Sequence, residues 1–232
     1  MNLKTDQYSL KEMILCWIVC FALTALSVVL MPFGTPWADI AWFLAIFSLI
    51  AVPLIAVRYM HPRDEVEAGT AILWSWKDFL TGLAAVAMLL IPVALGNHVV
   101  RTAFQDLTLV FNWANYSRLE TPIYYEFILQ ILCVALPEEF FYRGYLQTNL
   151  LKFLKNRPKW ARFAPGLAIV LASACFAIAH LPSGGPIRLL TFFPGLLFGF
   201  LRYKSGGLCG AIFCHAMCNM MMLILNVHYF PI

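Results

Sequence analysis

The sequence predicts an all-α fold, a polytopic membrane bundle of about seven transmembrane helices with the N-terminus inside and the C-terminus outside. Three observations predict it. Only 12% of the 232 residues are charged and 62% are hydrophobic, where a soluble domain carries about a quarter charged residues. Apolar stretches near the ~20 residues that cross a bilayer recur along the chain. Lysine and arginine fall between those stretches with a one-sided bias.

The elements follow in order. An apolar run over 13–31 follows MNLKTDQYSLKE and ends at MPFGTPW, which has no small-residue cleavage site, so it reads as a retained first span. The next spans are predicted at 38–57 and 79–96. Segment 97–121, with scattered charges among aromatic residues, reads as an interfacial helix on the outer surface. The fourth span, 122–149, carries PEEFFYRGYLQ. Spans five and six, 164–181 and 187–203, are separated by the turn signal PSGGP, and the seventh covers 206–226. The pairs Gly195/Gly199 and Gly206/Gly210 have the small-residue spacing of close helix packing in lipid, and packing is the role expected of them.

In this arrangement the inner segments hold 12 cations (Lys4, Lys11, Arg58, Arg63, Lys77, Lys152, Lys155, Arg157, Lys159, Arg162, Arg202 and Lys204) and the outer segments 3, Arg101, Arg118 and Arg188. That asymmetry obeys the positive-inside rule. The formal net charge of +4 is spread over loops and gives no nucleic-acid footprint, so no nucleic-acid partner is expected. The seven cysteines lie in or beside apolar runs and read as small buried hydrophobes, not as a disulfide framework. Residues 1–232 are expected to form a single integral-membrane domain.

Ionisable residues inside a span are costly and mark function by default. Three clusters stand out. On span four, Glu139 and Arg143 are four residues apart and share a helical face, whereas Glu138 is rotated about 100° away. One glutamate thus has a cation on its own face and the other does not. Span five ends in FAIAH, with Phe176 and His180 one turn apart, and span seven carries HAMCN, with His215 and Asn219 one turn apart. A lone membrane histidine is most simply a hydrogen-bonded packing residue. An unpaired glutamate, two histidines and an asparagine on three nearly uncharged spans are an expensive way to pack helices.

The ordered trio E-E-x-x-x-R, F-x-x-x-H and H-x-x-x-N resembles the CPBP family of intramembrane proteases. That family includes the type II CAAX prenyl endopeptidases and bacterial (Abi) members linked to bacteriocin processing and immunity. The resemblance covers about residues 122–222 and places a catalytic core at 122–226. It implies that Glu138 and His180 activate a water, that His215 and Asn219 stabilise the oxyanion, and that Glu139 and Arg143 hold the site together. It also implies a membrane-embedded or lipidated protein or peptide substrate, namely a C-terminal sorting tail, a lipidated tail or a leader peptide. The compact chain is most similar to prokaryotic members, which places it in the inner (plasma) membrane.

No cofactor is expected. Zinc held by Glu138, His180 and His215 is the alternative, since Glu plus two His is an accepted catalytic ligand set. Against it stand the absence of an H-E-x-x-H helix and the poor ligand quality of Asn219. Two other functions are weighed: a non-catalytic binding, scaffold or immunity member of the same fold, and a transporter, which predicts an internal repeat that the sequence does not display. By helical rise, His180 falls near the outer end of span five while Glu138 and His215 lie deeper. A tilt, or a kink at Pro137, is needed to bring them level.

Overall fold

A computed structural model describes residues 9–60, 69–70, 75–105, 107–119 and 121–231. Among them, helices dominate. α1 (Leu10–Leu30) and α2 (Trp37–Ile55) form a hairpin, joined by a turn in which Gly34 adopts φ 74°. α3 is Trp76–Phe104. α4 is helical throughout 123–155, and is followed by α5 (Ala164–Ala179), α6 (Phe192–Ser205) and α7 (Cys209–Asn226). Of the cations expected on the inner side, Lys4 and Arg63 lie outside the described residues.

Local sequence explains the ends. Ser9 caps α1 through the backbone N–H of Glu12, and Ser75 caps α3 through that of Asp78. α6 stops at Gly206, whose φ of 76° is the left-handed C-cap that glycine tolerates best. Gly206 therefore ends a helix and does not form half of a packing pair with Gly210. Gly210 does pack: it faces Gly82 of α3 so closely that a Cβ on Gly82 would sit 2.5 Å from the Gly210 carbonyl oxygen. This contact seats α3 against α7.

Five helices among the described residues are long and apolar enough to cross a membrane: Leu10–Phe33, Trp37–Met60, Trp76–Phe104, Ala161–Ala179 and Cys209–Asn226. They leave large apolar side chains such as Ile18, Phe43, Phe47, Met88, Ile91 and Leu95 on the outside, as contact with lipid tails requires. The chain is an integral membrane protein with an all-α bundle. α6 has 14 residues, about 21 Å of helix against a ~30 Å hydrocarbon core. α4 carries the polar residues.

α4 is the central element. Every side chain from Phe140 to Gln147 is buried, packed among α1, α2, α5 and α6. A helix buried all round must be largely apolar, and the polar groups it carries must find partners within the bundle. Pro137, which lacks an N–H, sits between two π-helical stretches, Gln130–Ala135 and Phe140–Gln147. The first closes with Leu136 N–H donating to the Ile131 carbonyl, five residues back.

The interfacial helix expected over 97–121 is not what forms. α3 continues to Phe104, and Leu107–Leu109 (β1) pairs antiparallel with Tyr229–Pro231 (β2), with Thr108 opposite Phe230. A 3₁₀ turn at Trp113–Arg118 then lets the Arg118 guanidinium donate to the carbonyls of Val227 (2.7 Å) and Tyr229 (3.3 Å). The C-terminal strand offers those segments a hydrogen-bonding edge that no local pattern announces. None of the seven cysteines, all of them among the described residues, forms a disulfide; three are buried and four partly so, in keeping with their reading as small hydrophobes.

Candidate active site

α4, α5 and α7 bring five of the six predicted residues into two adjoining groups, with Asn219 held separately by Gln130. The first is sealed. Arg143 Nε lies 3.3 Å from Glu139 Oε2 across one helical turn, with both side chains at 0% exposure. The expected pair therefore forms. Arg143 also donates to the Gly195 carbonyl (3.2 Å) and lies over the Phe176 ring at 4.3 Å. One turn on, Gln147 donates to the Gly199 carbonyl at 2.8 Å. α4 thus presents side chains at 143 and 147 to carbonyls at 195 and 199, matching turn for turn on the two helices.

The glycines make that ladder feasible. A Cβ on Gly199 would lie 2.8 Å from Gln147 Oε1, and one on Gly195 would lie 3.2 Å from Arg143 Nη2. The Gly195/Gly199 spacing, read from sequence as helix packing, also provides room for two polar side chains of the neighbouring helix.

The second group is open. Glu138 Oε2 faces His180 Nε2 at 3.8 Å and His215 Nε2 at 3.7 Å. The Glu138 and His180 side chains retain 18% and 20% exposure. Both imidazoles are oriented from behind. His180 Nδ1 lies 2.8 Å from the Phe176 carbonyl, which can only accept, so Nδ1 carries the proton. His215 Nδ1 lies 2.8 Å from Glu139 Oε1 and donates to that carboxylate. With both Nδ1 atoms so engaged, both Nε2 atoms point at one carboxylate oxygen. Phe198 stacks on the His215 ring (4.8 Å, 15°), while Phe176 packs edge-on against both histidines.

The structure brings the two histidines level, each with Nε2 within 3.8 Å of Glu138 Oε2. His180 follows the last residue of α5, about 24 Å from its start, and His215 is about 9 Å into α7, by 1.5 Å per residue.

Asn219 is one turn beyond His215, and its amide donates to Gln130 Oε1 of α4 at 3.0 Å. Sequence reasoning missed Gln130, the Phe198 stack and the Glu139–His215 bond. Glu139 and His215 are 76 residues apart, and nothing local signals the contact.

Zinc sites bring three side chains within about 2.0–2.3 Å of one point. No group of three or more His, Cys, Asp and Glu among the described residues is disposed to hold a metal ion, the Glu138, His180 and His215 set included.

Residues 120–221 match the family described as "Type II CAAX prenyl endopeptidase Rce1-like". The matched span contains all six predicted site residues and Gln130. Over these residues the chain is similar to this protease family. The Rce1-like region takes in α4, α5 and α6 with α7 as far as Met221, and it leaves α1, α2 and α3 outside the match. No curated protein and no solved structure matches the chain.

Proposed function

We propose that this protein is an intramembrane endopeptidase that hydrolyses a peptide bond in a membrane-associated substrate, a lipidated or membrane-inserted tail, with Glu138 and His180 activating the water. The observation that carries the reading is the convergence of the two Nε2 atoms on Glu138 Oε2.

A water beside this carboxylate gives one proton to Glu138 and donates its other hydrogen to the lone pair of His180 Nε2. Its oxygen adds to the substrate carbonyl carbon, and the carbonyl π electrons move onto oxygen. Asn219 and His215 are the donors for the resulting oxyanion. Since His215 Nδ1–H is held by the Glu139 carboxylate, donation to the oxyanion from Nε2 requires the ring to carry both protons. Collapse of the tetrahedral adduct breaks the C–N bond, and the proton held by Glu138 passes to the leaving amine. Arg143, ion-paired to Glu139, fixes the group that orients His215. The Phe176 carbonyl keeps His180 in the tautomer whose Nε2 is free to accept.

This reading takes seven crossings with the N-terminus inside, in the plasma membrane of a prokaryotic cell. α4 and α6 supply the two crossings beyond the five that length and composition support.

The test uses the full chain in proteoliposomes with an internally quenched, farnesylated CAAX peptide, and with a membrane-inserted leader peptide alongside it. Glu138→Gln and His180→Ala are each expected to lower kcat at least about 10²-fold, the scale of a lost acid–base group, without a change in unfolding temperature. Turnover by both variants at the wild-type rate sinks the hydrolytic role. Binding of peptide without cleavage by the wild type points instead to a non-catalytic member of the fold.

A further inference from the structure

We propose that Gln130 is a positioning residue for hydrolysis: its side-chain oxygen holds the Asn219 carboxamide so that an N–H, and not the amide oxygen, is presented to the developing oxyanion. The proposal rests on the protease reading above.

Two independent observations carry it. The first is the 3.0 Å bond from Asn219 Nδ2 to Gln130 Oε1, between two partly buried side chains on helices that both line the site. A carboxamide has an accepting end and a donating end that differ little in shape. Left to itself, Asn219 can turn either end to a neighbour. An acceptor on one side of it selects the rotamer in which nitrogen, with its second hydrogen unspent, lies on the site side.

The second is the π-helical stretch Gln130–Ala135. In an uninterrupted α-helix, eight residues would leave Gln130 about 80° around from Glu138, at about 100° per residue. A π-turn absorbs one extra residue, so the phase becomes that of seven α-helical steps, about 20° away by the same rise. The irregularity in α4 thus rotates Gln130 onto the Glu138 face, where α7 presents His215 and Asn219. A π-turn with no such consequence would only weaken the helix that carries the site.

The same proteoliposome assay decides the matter, comparing the wild type with Gln130→Leu, Gln130→Glu, Asn219→Ala and the Gln130→Leu/Asn219→Ala double variant on the farnesylated peptide. Asn219→Ala is expected to cost about 10²-fold in kcat, the effect of one lost oxyanion donor. Gln130→Leu is expected to cost about 10-fold in kcat with KM within twofold, and Gln130→Glu, which keeps an acceptor, to recover most of that loss. The double variant is expected to be no slower than Asn219→Ala alone, because a residue that acts only through Asn219 has nothing left to orient. Should Gln130→Leu not accumulate in membranes, Gln130→Lys, a donor without an acceptor, is expected to lose the same kcat.

A structural role predicts a lowered unfolding temperature, losses that add in the double variant and no rescue by glutamate; that pattern, or full activity of Gln130→Leu, overturns the proposal. If the wild type cleaves neither peptide faster than Glu138→Gln does, the protease reading itself fails and the role of Gln130 falls with it. An active wild type with an inert Glu138→Gln confines any failure to Gln130.

Discussion

Two neighbouring faces of α4 carry adjacent glutamates into opposite environments. On the Glu139 face, the carboxylate, Arg143, Gln147 and the carbonyls of Gly195 and Gly199 form a closed ladder with no exposed surface on Glu139 or Arg143. On the Glu138 face, a carboxylate about a fifth exposed looks across more than 3.5 Å at two imidazoles. The first face has each charge answered by protein. The second has separations beyond direct hydrogen bonding, at which a bridging water is the natural partner. The difference teaches that burial and charge do not by themselves mark a reactive group. In the proposed reading, what marks it is a buried, paired glutamate that fixes a histidine, which then confronts Glu138.

The contrast breaks most severely at Arg143. Removing one partner of a fully buried pair leaves an uncompensated charge and costs about 3–5 kcal/mol. Arg143→Met is therefore expected to destabilise by that amount in denaturant unfolding and to abolish activity with it. Glu138→Gln instead loses activity with stability intact, so a variant pair that behaves alike would erase the distinction between the faces.

A smaller effect is expected at Gly199. A Cβ there meets Gln147 Oε1 at 2.8 Å and Ile169 Cγ2 at 3.0 Å, and overpacking of this kind costs about 1–3 kcal/mol. Gly199→Ala should lower the unfolding midpoint, with kcat falling only as far as the sealed face shifts Glu139. An unchanged midpoint would mean that α6 slides away from α4 without penalty, and the ladder would be looser than its distances indicate.

The smallest effect has the opposite sign. Gly96 lies exposed inside α3, on neither face of α4, and a Cβ there meets nothing within 4 Å. Gly96→Ala is expected to raise stability by about 0.4–1 kcal/mol through the unfolded chain's lost freedom, with kcat unaltered. A change in activity from this position would tie α3 to the site more closely than its packing on α7 through Gly82 and Gly210 does.

Much of this was legible in the sequence. Hydropathy and charge spacing determined an all-α membrane protein, because an unbroken apolar run in lipid has few structures open to it other than a helix. Helical phase alone separated Glu138 from Glu139 and paired Glu139 with Arg143, since both facts depend only on 3.6 residues per turn. The motif order on three spans pointed to His180, His215 and Asn219. Tertiary structure alone decided that Glu139 also holds His215, that the glycines of α6 make room for Arg143 and Gln147, and that His180 and His215 meet at Glu138. It also replaced an expected surface helix with a strand pairing between Leu107–Leu109 and Tyr229–Pro231, and brought Gln130 around to Glu138's side through a π-turn. These contacts join residues tens of positions apart or depend on a local break in helical period. Sequence periodicity describes a regular helix in isolation, and the site is built from the points where helices meet and where one of them departs from regularity.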